Sequence, residues 1–226
     1  MLSNVLVLCG VLALAWTVVV WRWEDPFTAI ETTIAQHHLR ADYARRVTAY
    51  RPARPVHREN KGLVLRALRV DALSYARSLQ RGGPVGRLKI GRIGLNMIVV
   101  QGTDEDTLKK GPAHQIATAL PGEGSLIYVA GHRTTYLAPF SQIDQIKVGD
   151  YITFSVPYGT FTYRVFRHYV VAANDLKVLV NHGREVLRLQ ACHPRFFATH
   201  RYIVDARLVA VEGLGVGHPI AVAAGG

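Results

Sequence analysis

The chain has 226 residues, 49% of them hydrophobic, and its 27 Lys and Arg outnumber 16 Asp and Glu for a formal net charge of +11. That supplies enough apolar material for one domain of ordinary size with appendages, and it excludes a disordered tail. The basic excess is diffuse, twelve basic against six acidic side chains over residues 22–86 and fifteen against ten over 87–212, which speaks against a nucleic-acid partner and suits an anionic membrane surface or polyanionic wall.

Residues 2–21 carry no charge, and Trp16, Trp21 and Trp23 crowd the far end of the run. Twenty such residues predict a transmembrane signal anchor over 1–23 with an interfacial aromatic belt. A cleaved signal peptide needs a small-residue site, and Trp-Arg-Trp-Glu-Asp-Pro follows instead. Arg22, Arg40, Arg45 and Arg46 lie after the run and no Lys or Arg before it, a bias toward a cytoplasmic C-terminal part that opposes the extracellular placement implied below. Over 24–86 the pattern is a helical stalk or linker in two pieces. Asp25-Pro26 reads as an N-cap with proline at the first helical position. The Pro52–Pro55 segment separates the pieces, and Gly82-Gly83-Pro84 ends the second. Arg66, Arg69 and Arg77 recur near helical spacing, as on a solvated face.

From Arg87 the pattern turns to short strands. RLKIGRIGLNMIVVQG reads as two strands turning near Gly94, and Thr103 as the cap of a short helix, DEDTLKK. SLIYVAGH is a strand with Ile127 and Val129 on one face and Tyr128, Ala130 and His132 on the other. A turn or short helix follows near 138–143, then a hairpin, DYITFSV-PYGT-FTYRVFRHYVV. Residues 213–226 are Gly-rich and expected to be loose. Seven or eight short strands with little helix argue a mainly β fold, barrel or sandwich, over 87–212.

The chemistry concentrates in LRLQACHPRFFATHRYIV. Leu187, Leu189 and Ala191 share one face of a strand, whereas Arg188, Gln190 and Cys192 share the other. A structural cysteine belongs on the aliphatic face, yet Cys192 ends its strand on the polar one. In the next strand Tyr202, Val204, Ala206 and Leu208 alternate inward, leaving Arg201 opposite. Cys9 lies in the N-terminal run, so the two cysteines make no disulfide framework, and no Cys/His spacing resembles a zinc site. A nucleophilic thiol needs a base or cationic partner and a donor for the oxyanion. His193 neighbours the cysteine but points to the other face. His37, His38, His57 and His218 fall outside the strand region, and His114, His168, His182 and His200 have no distinctive surround. His132 closes a strand and opens the polar loop Arg133-Thr134-Thr135-Tyr136, where catalytic groups are commonly carried; a surface histidine at a strand end is the alternative.

AGHRTTYLAPF, the following hairpin, LQACHP and RYIV together resemble the sortase family of cysteine transpeptidases. The HRTTYxAPF and CHPxF forms are most similar to class E sortases of Gram-positive actinobacteria, and RLKIGRIGL, the GP…TALPGEG loop and PYGTFTYRV extend the resemblance over 87–212. It implies a closed β-barrel, with His132, Cys192 and Arg201 as the catalytic residues. It also implies an anchored enzyme, single-pass in the cell membrane with its catalytic domain extracellular. Such an enzyme cleaves an LAxTG- or LPxTG-type sorting signal on a secreted protein between Thr and Gly. It then joins the protein to an amine of a lipid II-like peptidoglycan precursor. Class E relatives favour LAxTG. No cofactor or metal is expected. Sortases usually carry Thr before the nucleophile, where this chain has Ala191, which makes Ala191 a candidate in the substrate groove. Val99, with Ile98 and Val100, is a second candidate there, core packing being the alternative. A purely hydrolytic cysteine peptidase would use the same three residues, and a catalytically inactive anchored binding domain would keep the fold without the chemistry.

Overall fold

The computed structural model describes residues 2–22, 26–52, 61–213 and 220–222. Three helices precede the strands: α1 (Leu2–Arg22), α2 (Pro26–Ala49) and α3 (Lys61–Ser78). Proline opens α2 as expected, while its proposed cap, Asp25, and Trp23 lie outside the described residues. The side chains of residues 3–17 are all exposed. They cover about 22 Å of helix at 1.5 Å per residue, and among the described residues no helix is long and apolar enough to cross a membrane.

Nine strands follow: β1 (Pro84–Ile90), β2 (Leu95–Gln101), β3 (Ala113–His114), β4 (Leu126–Ala130), β5 (Tyr151–Val156), β6 (Gly159–Ala172), β7 (Val186–His193), β8 (His200–Gly213) and β9 (Ile220–Ala221). Their order is β6-β5-β1-β2-β3-β4-β7-β8-β9, and a further β6–β8 pairing closes the first eight into a barrel. Gly94, in the left-handed region at φ 63°, turns β1 into β2 after a 3-10 turn. A four-residue helix, α4 (Glu105–Leu108), is capped by Asp104 and not by Thr103, because the Asp104 carboxylate accepts from Thr107 N at 3.2 Å. The C-terminal stretch expected to be loose contributes β9, whose Ile220 and Ala221 pair with Val211 and Ala210.

Alternation along the strands builds the interior. Ile152, Phe154 and Val156 of β5, Phe161, Tyr163 and Val165 of β6, and Leu187, Leu189 and Ala191 of β7 all enter one core. Each large apolar side chain so buried stabilises the fold by about 1.5–3 kcal/mol relative to exposure. Both helices from the stretch read as a stalk lie against the barrel. Val64, Leu68, Ala72 and Tyr75 of α3 join the main core, and the Tyr75 hydroxyl donates to Val85 O at 3.0 Å. Leu39 and Tyr43 of α2 cover Ile98 and Val100 of β2. This also corrects the groove candidates. Val99 and Ala191 are both 0% exposed within the main core, and Ile98 and Val100 are sealed under α2, so a peptide lying on the surface touches none of them. Ala191 faces the barrel interior because it shares parity with Leu187 and Leu189, so only the backbone at this position borders the outer face.

Candidate active site

Cys192 and Arg201 are directly opposed residues of the antiparallel β7–β8 pair, so their side chains share a face. Strands β4 and β7 run parallel with Ala130 opposite Gln190, and Gly131 N extends the ladder to Gln190 O at 3.0 Å. Two residues past Ala130, the same offset brings His132 level with Cys192. The parity of Tyr128, Ala130 and His132 matches that of Gln190 and Cys192. The imidazole, thiol and guanidinium thus come from three neighbouring strand ends on one outward face, at a backbone spacing of about 4.8 Å from strand to strand.

The loop after His132 is held in an unusual shape. Tyr136, Leu137 and Ala138 have φ values of 56°, 57° and 33°, a left-handed run costing roughly 1–2 kcal/mol per non-glycine residue. Its ends are fastened by Phe140 N to His132 O at 3.1 Å and by Ala138 N to Thr135 O at 2.9 Å. Phe140 is fully buried, and a Cβ on Gly131 would come within 2.6 Å of its ring. That contact is the physical reason for glycine before His132 and phenylalanine at the end of AGHRTTYLAPF. The Tyr136 ring lies 5.0 Å from that of His132, tilted by 37°.

His132 is half-buried, and its Nε2 is enclosed without a hydrogen-bond partner among the described residues. Burial pushes its pKa below the ordinary histidine value; Lys109 adds to the fall and Glu105 opposes it. Near neutrality the ring is therefore neutral and able to accept a proton. Arg201 is oriented by its own loop, Nη1 donating to Ala198 O at 2.7 Å and to His200 O at 2.9 Å. Its Nη2 and Nε make no hydrogen bond among the described residues and remain available as donors.

Arg133 was not singled out from the sequence, yet it ties the site together. It is 4% exposed, and its Nη1 donates to Cys192 O at 3.3 Å and to His193 Nδ1 at 2.9 Å. Its Nη2 pairs with Asp144 Oδ2 at 2.6 Å, and the guanidinium carbon sits 5.9 Å from the Tyr202 ring centroid. His193, adjacent to Cys192, is thereby engaged by Arg133. The one signal in the sequence was an arginine immediately after a strand-ending histidine, which looked like loop surface. His114 is also more than a strand-surface histidine. It is buried, with Nε2 2.9 Å from Ala119 O, and burial lowers its pKa to about 4. Among the described residues no group of three or more His, Cys, Asp or Glu is placed to hold a metal ion.

A closed barrel with a cysteine flanked by histidine and arginine on adjacent strand ends is the architecture of a thiol-dependent acyl-transfer enzyme. Residues 88–209 match the family model described as the sortase domain. Sortase D of Bacillus subtilis is 31% identical over 134 residues, covering 58% of this chain and 66% of that protein, just under two thirds of its length. Among solved structures, sortase E from Streptomyces avermitilis is 31% identical with a TM-score of 0.56, over 62% of this chain and 97% of that one. A Clostridium perfringens sortase D5 transpeptidase, at 22% identity, shares the fold with a TM-score of 0.63 over 77% of this chain and 98% of its own. The chain belongs to the sortase family of cysteine transpeptidases.

Proposed function

We propose that the protein is a class E-like sortase that joins secreted proteins bearing an LAxTG- or LPxTG-type C-terminal signal to an amine of a lipid II-like cell-wall precursor in an actinobacterial envelope. The observation that carries this reading is the register that sets Cys192 opposite Arg201, on a strand that pairs with β4 up to Ala130, two residues before His132. The HRTTYxAPF and CHPxF forms and the sortase E similarity support the class.

The thiol of Cys192 gives its proton to neutral His132, and the thiolate adds to the Thr carbonyl. Arg201 donates to the resulting oxyanion. The C–N bond to Gly then breaks, and His132 returns the thiol's proton to the leaving amine. This leaves a thioester between Thr and Cys192. The incoming amine attacks the thioester, His132 takes its proton, and collapse of the second intermediate expels the thiolate, which is reprotonated. The depressed pKa of His132 suits this order, because a mostly neutral ring is needed at both attacks.

Incubating the protein with an LAxTG peptide, with and without an added amine, tests the reading by product analysis. Cleavage between Thr and Gly with amine incorporation is expected, together with a Cys192-linked acyl-enzyme. Cys192→Ala should abolish all of it, and Arg201→Met should lower kcat about 10²–10³-fold, as loss of an oxyanion donor does. Cleavage without amine incorporation would make the protein a hydrolytic peptidase. No acyl-enzyme and no cleavage of this peptide or of an LPxTG peptide assayed beside it would leave an anchored binding domain.

The charge-free run of residues 2–21 is proposed to anchor the protein in the membrane, with the barrel outside where secreted substrates and wall precursors meet. Carbonate-resistant fractionation and protease accessibility in spheroplasts test it. A barrel protected from external protease would follow the charge bias of Arg22, Arg40, Arg45 and Arg46 instead and overturn the placement.

A further inference from the structure

We infer that Thr28 of α2 is a positioning residue for His132, acting through Tyr136, so that the helix preceding the barrel is part of the catalytic unit. The inference rests on the reading of His132 as the acid–base group. One face of α2 is stitched to the main chain of the barrel at helical spacing. Thr32 Oγ1 donates to Lys109 O at 2.7 Å. The Gln36 amide donates to Ile98 O at 2.9 Å and Lys110 O at 2.8 Å, and accepts from Ile98 N at 2.8 Å. Arg40 Nη2 donates to Asn96 O at 3.1 Å, and the Tyr43 hydroxyl to Ser155 O at 2.9 Å. Thr28 lies one turn before Thr32 on the same face, and its Oγ1 accepts from Tyr136 N at 3.1 Å.

That hydrogen bond reaches the first of the three left-handed residues, a segment whose backbone its own preferences do not maintain. It fixes Tyr136 N at the point where the adjacent ring meets the imidazole, 5.0 Å away. The His132 ring has no hydrogen bond among the described residues that would orient it otherwise. The charges acting on it are Glu105 and Lys109. Lys109 is itself joined to α2 through its carbonyl and Thr32, so the helix holds the backbone of a second residue whose charge acts on the imidazole.

Thr28→Val keeps the shape and removes the acceptor, whereas Thr28→Ser keeps the acceptor. In the full chain, acting on an LAxTG peptide, Thr28→Val is expected to lower kcat about fivefold, the worth of one hydrogen bond. KM and the thermal midpoint should stay near the parent values. The His132 imidazole, followed by proton–nitrogen correlation, should titrate closer to the ordinary histidine value as its enclosure loosens. Thr28→Ser should restore both kcat and the titration. An unchanged kcat in Thr28→Val, or a fall that serine does not rescue, overturns the positioning role. If His132→Ala itself leaves transfer intact, the reading of the site fails, a separate result from any Thr28 variant.

Discussion

Removing either half of the Arg133–Asp144 pair should have unequal consequences, because the two side chains sit in different surroundings. The side chain of Arg133 is 3% exposed and that of Asp144 46%. Asp144→Asn leaves a guanidinium inside the protein with only neutral acceptors, Cys192 O at 3.3 Å and His193 Nδ1 at 2.9 Å, and the Tyr202 face. An uncompensated buried charge costs about 3–5 kcal/mol; those acceptors offset part of it, so a loss of about 2–3 kcal/mol is expected. Arg133→Met keeps an unbranched stem in the same space and leaves behind a carboxylate that water reaches. Its cost is the unpartnered Cys192 carbonyl and His193 nitrogen, about 1–2 kcal/mol. Urea unfolding should therefore rank Asp144→Asn below Arg133→Met by about 1 kcal/mol, and the double variant should match Arg133→Met. The kinetic order should be the reverse. Arg133→Met removes the contact to Cys192 and lowers kcat, whereas Asp144→Asn keeps Arg133 in place and changes kcat little. Equal single-variant costs, or additive ones in the double variant, would refute the argument from exposure.

Gly131→Ala drives a Cβ to within 2.6 Å of the Phe140 ring; it should cost about 1–3 kcal/mol and reduce acyl-enzyme formation by displacing His132, read by thermal midpoint and by mass spectrometry. Stability should also fall with acidity through His114, held at about 4 by burial against an ordinary 6.5. The unfolded chain binds that proton below about pH 6.5 and the folded chain only below about 4. The stability present at neutral pH thus declines by about 3 kcal/mol between those limits, at 1.36 kcal/mol per unit. The lowered His132 adds a loss of the same sign. Urea midpoints at pH 7.5, 5.5 and 4 check it, and a flat profile would contradict the enclosure of His114.

Strand parity made the site legible where pairing is local. The alternation of Leu187, Leu189 and Ala191 against Cys192 and the inward Tyr202, Val204 and Ala206 are as read, because a strand with one face in a core declares both faces. The closure of the barrel followed from the family resemblance and not from strand alternation, since β6–β8 joins Gly159 to Gly213 and Ala172 to His200, a contact that neither strand's pattern encodes. The same limit holds for Val99 and Ala191, both buried in the core. An apolar residue beside a catalytic strand end has one appearance whether it lines a groove or fills a core. Thr28 carried no signal at all. A threonine near the start of a polar helix is ordinary, and its importance arises from a partner 108 positions away.

The polar face of β7 has a second role that the site depends on. Arg188 and Asp205, four residues behind Cys192 and Arg201 on the same two strands, are also directly opposed. Arg188 grips the carboxylate with Nε at 2.6 Å from Oδ1 and Nη2 at 2.9 Å from Oδ2, and Arg167 of β6 reaches Oδ2 at 2.8 Å. Asp205 and Arg188 are both buried, so any register that separates them leaves the Arg188 guanidinium without its carboxylate and Asp205 with Arg167 alone. A slip of one residue along β7 would also turn Cys192 into the core and Ala191 out. The ion pair therefore stabilises the one register in which a thiol faces a guanidinium. The β4–β7 ladder, which needs that same placement of β7, then holds Ala130 opposite Gln190, two residues before His132. What looks in the sequence like strand-surface charge behind Cys192 is a buried ion pair that favours one placement of Cys192.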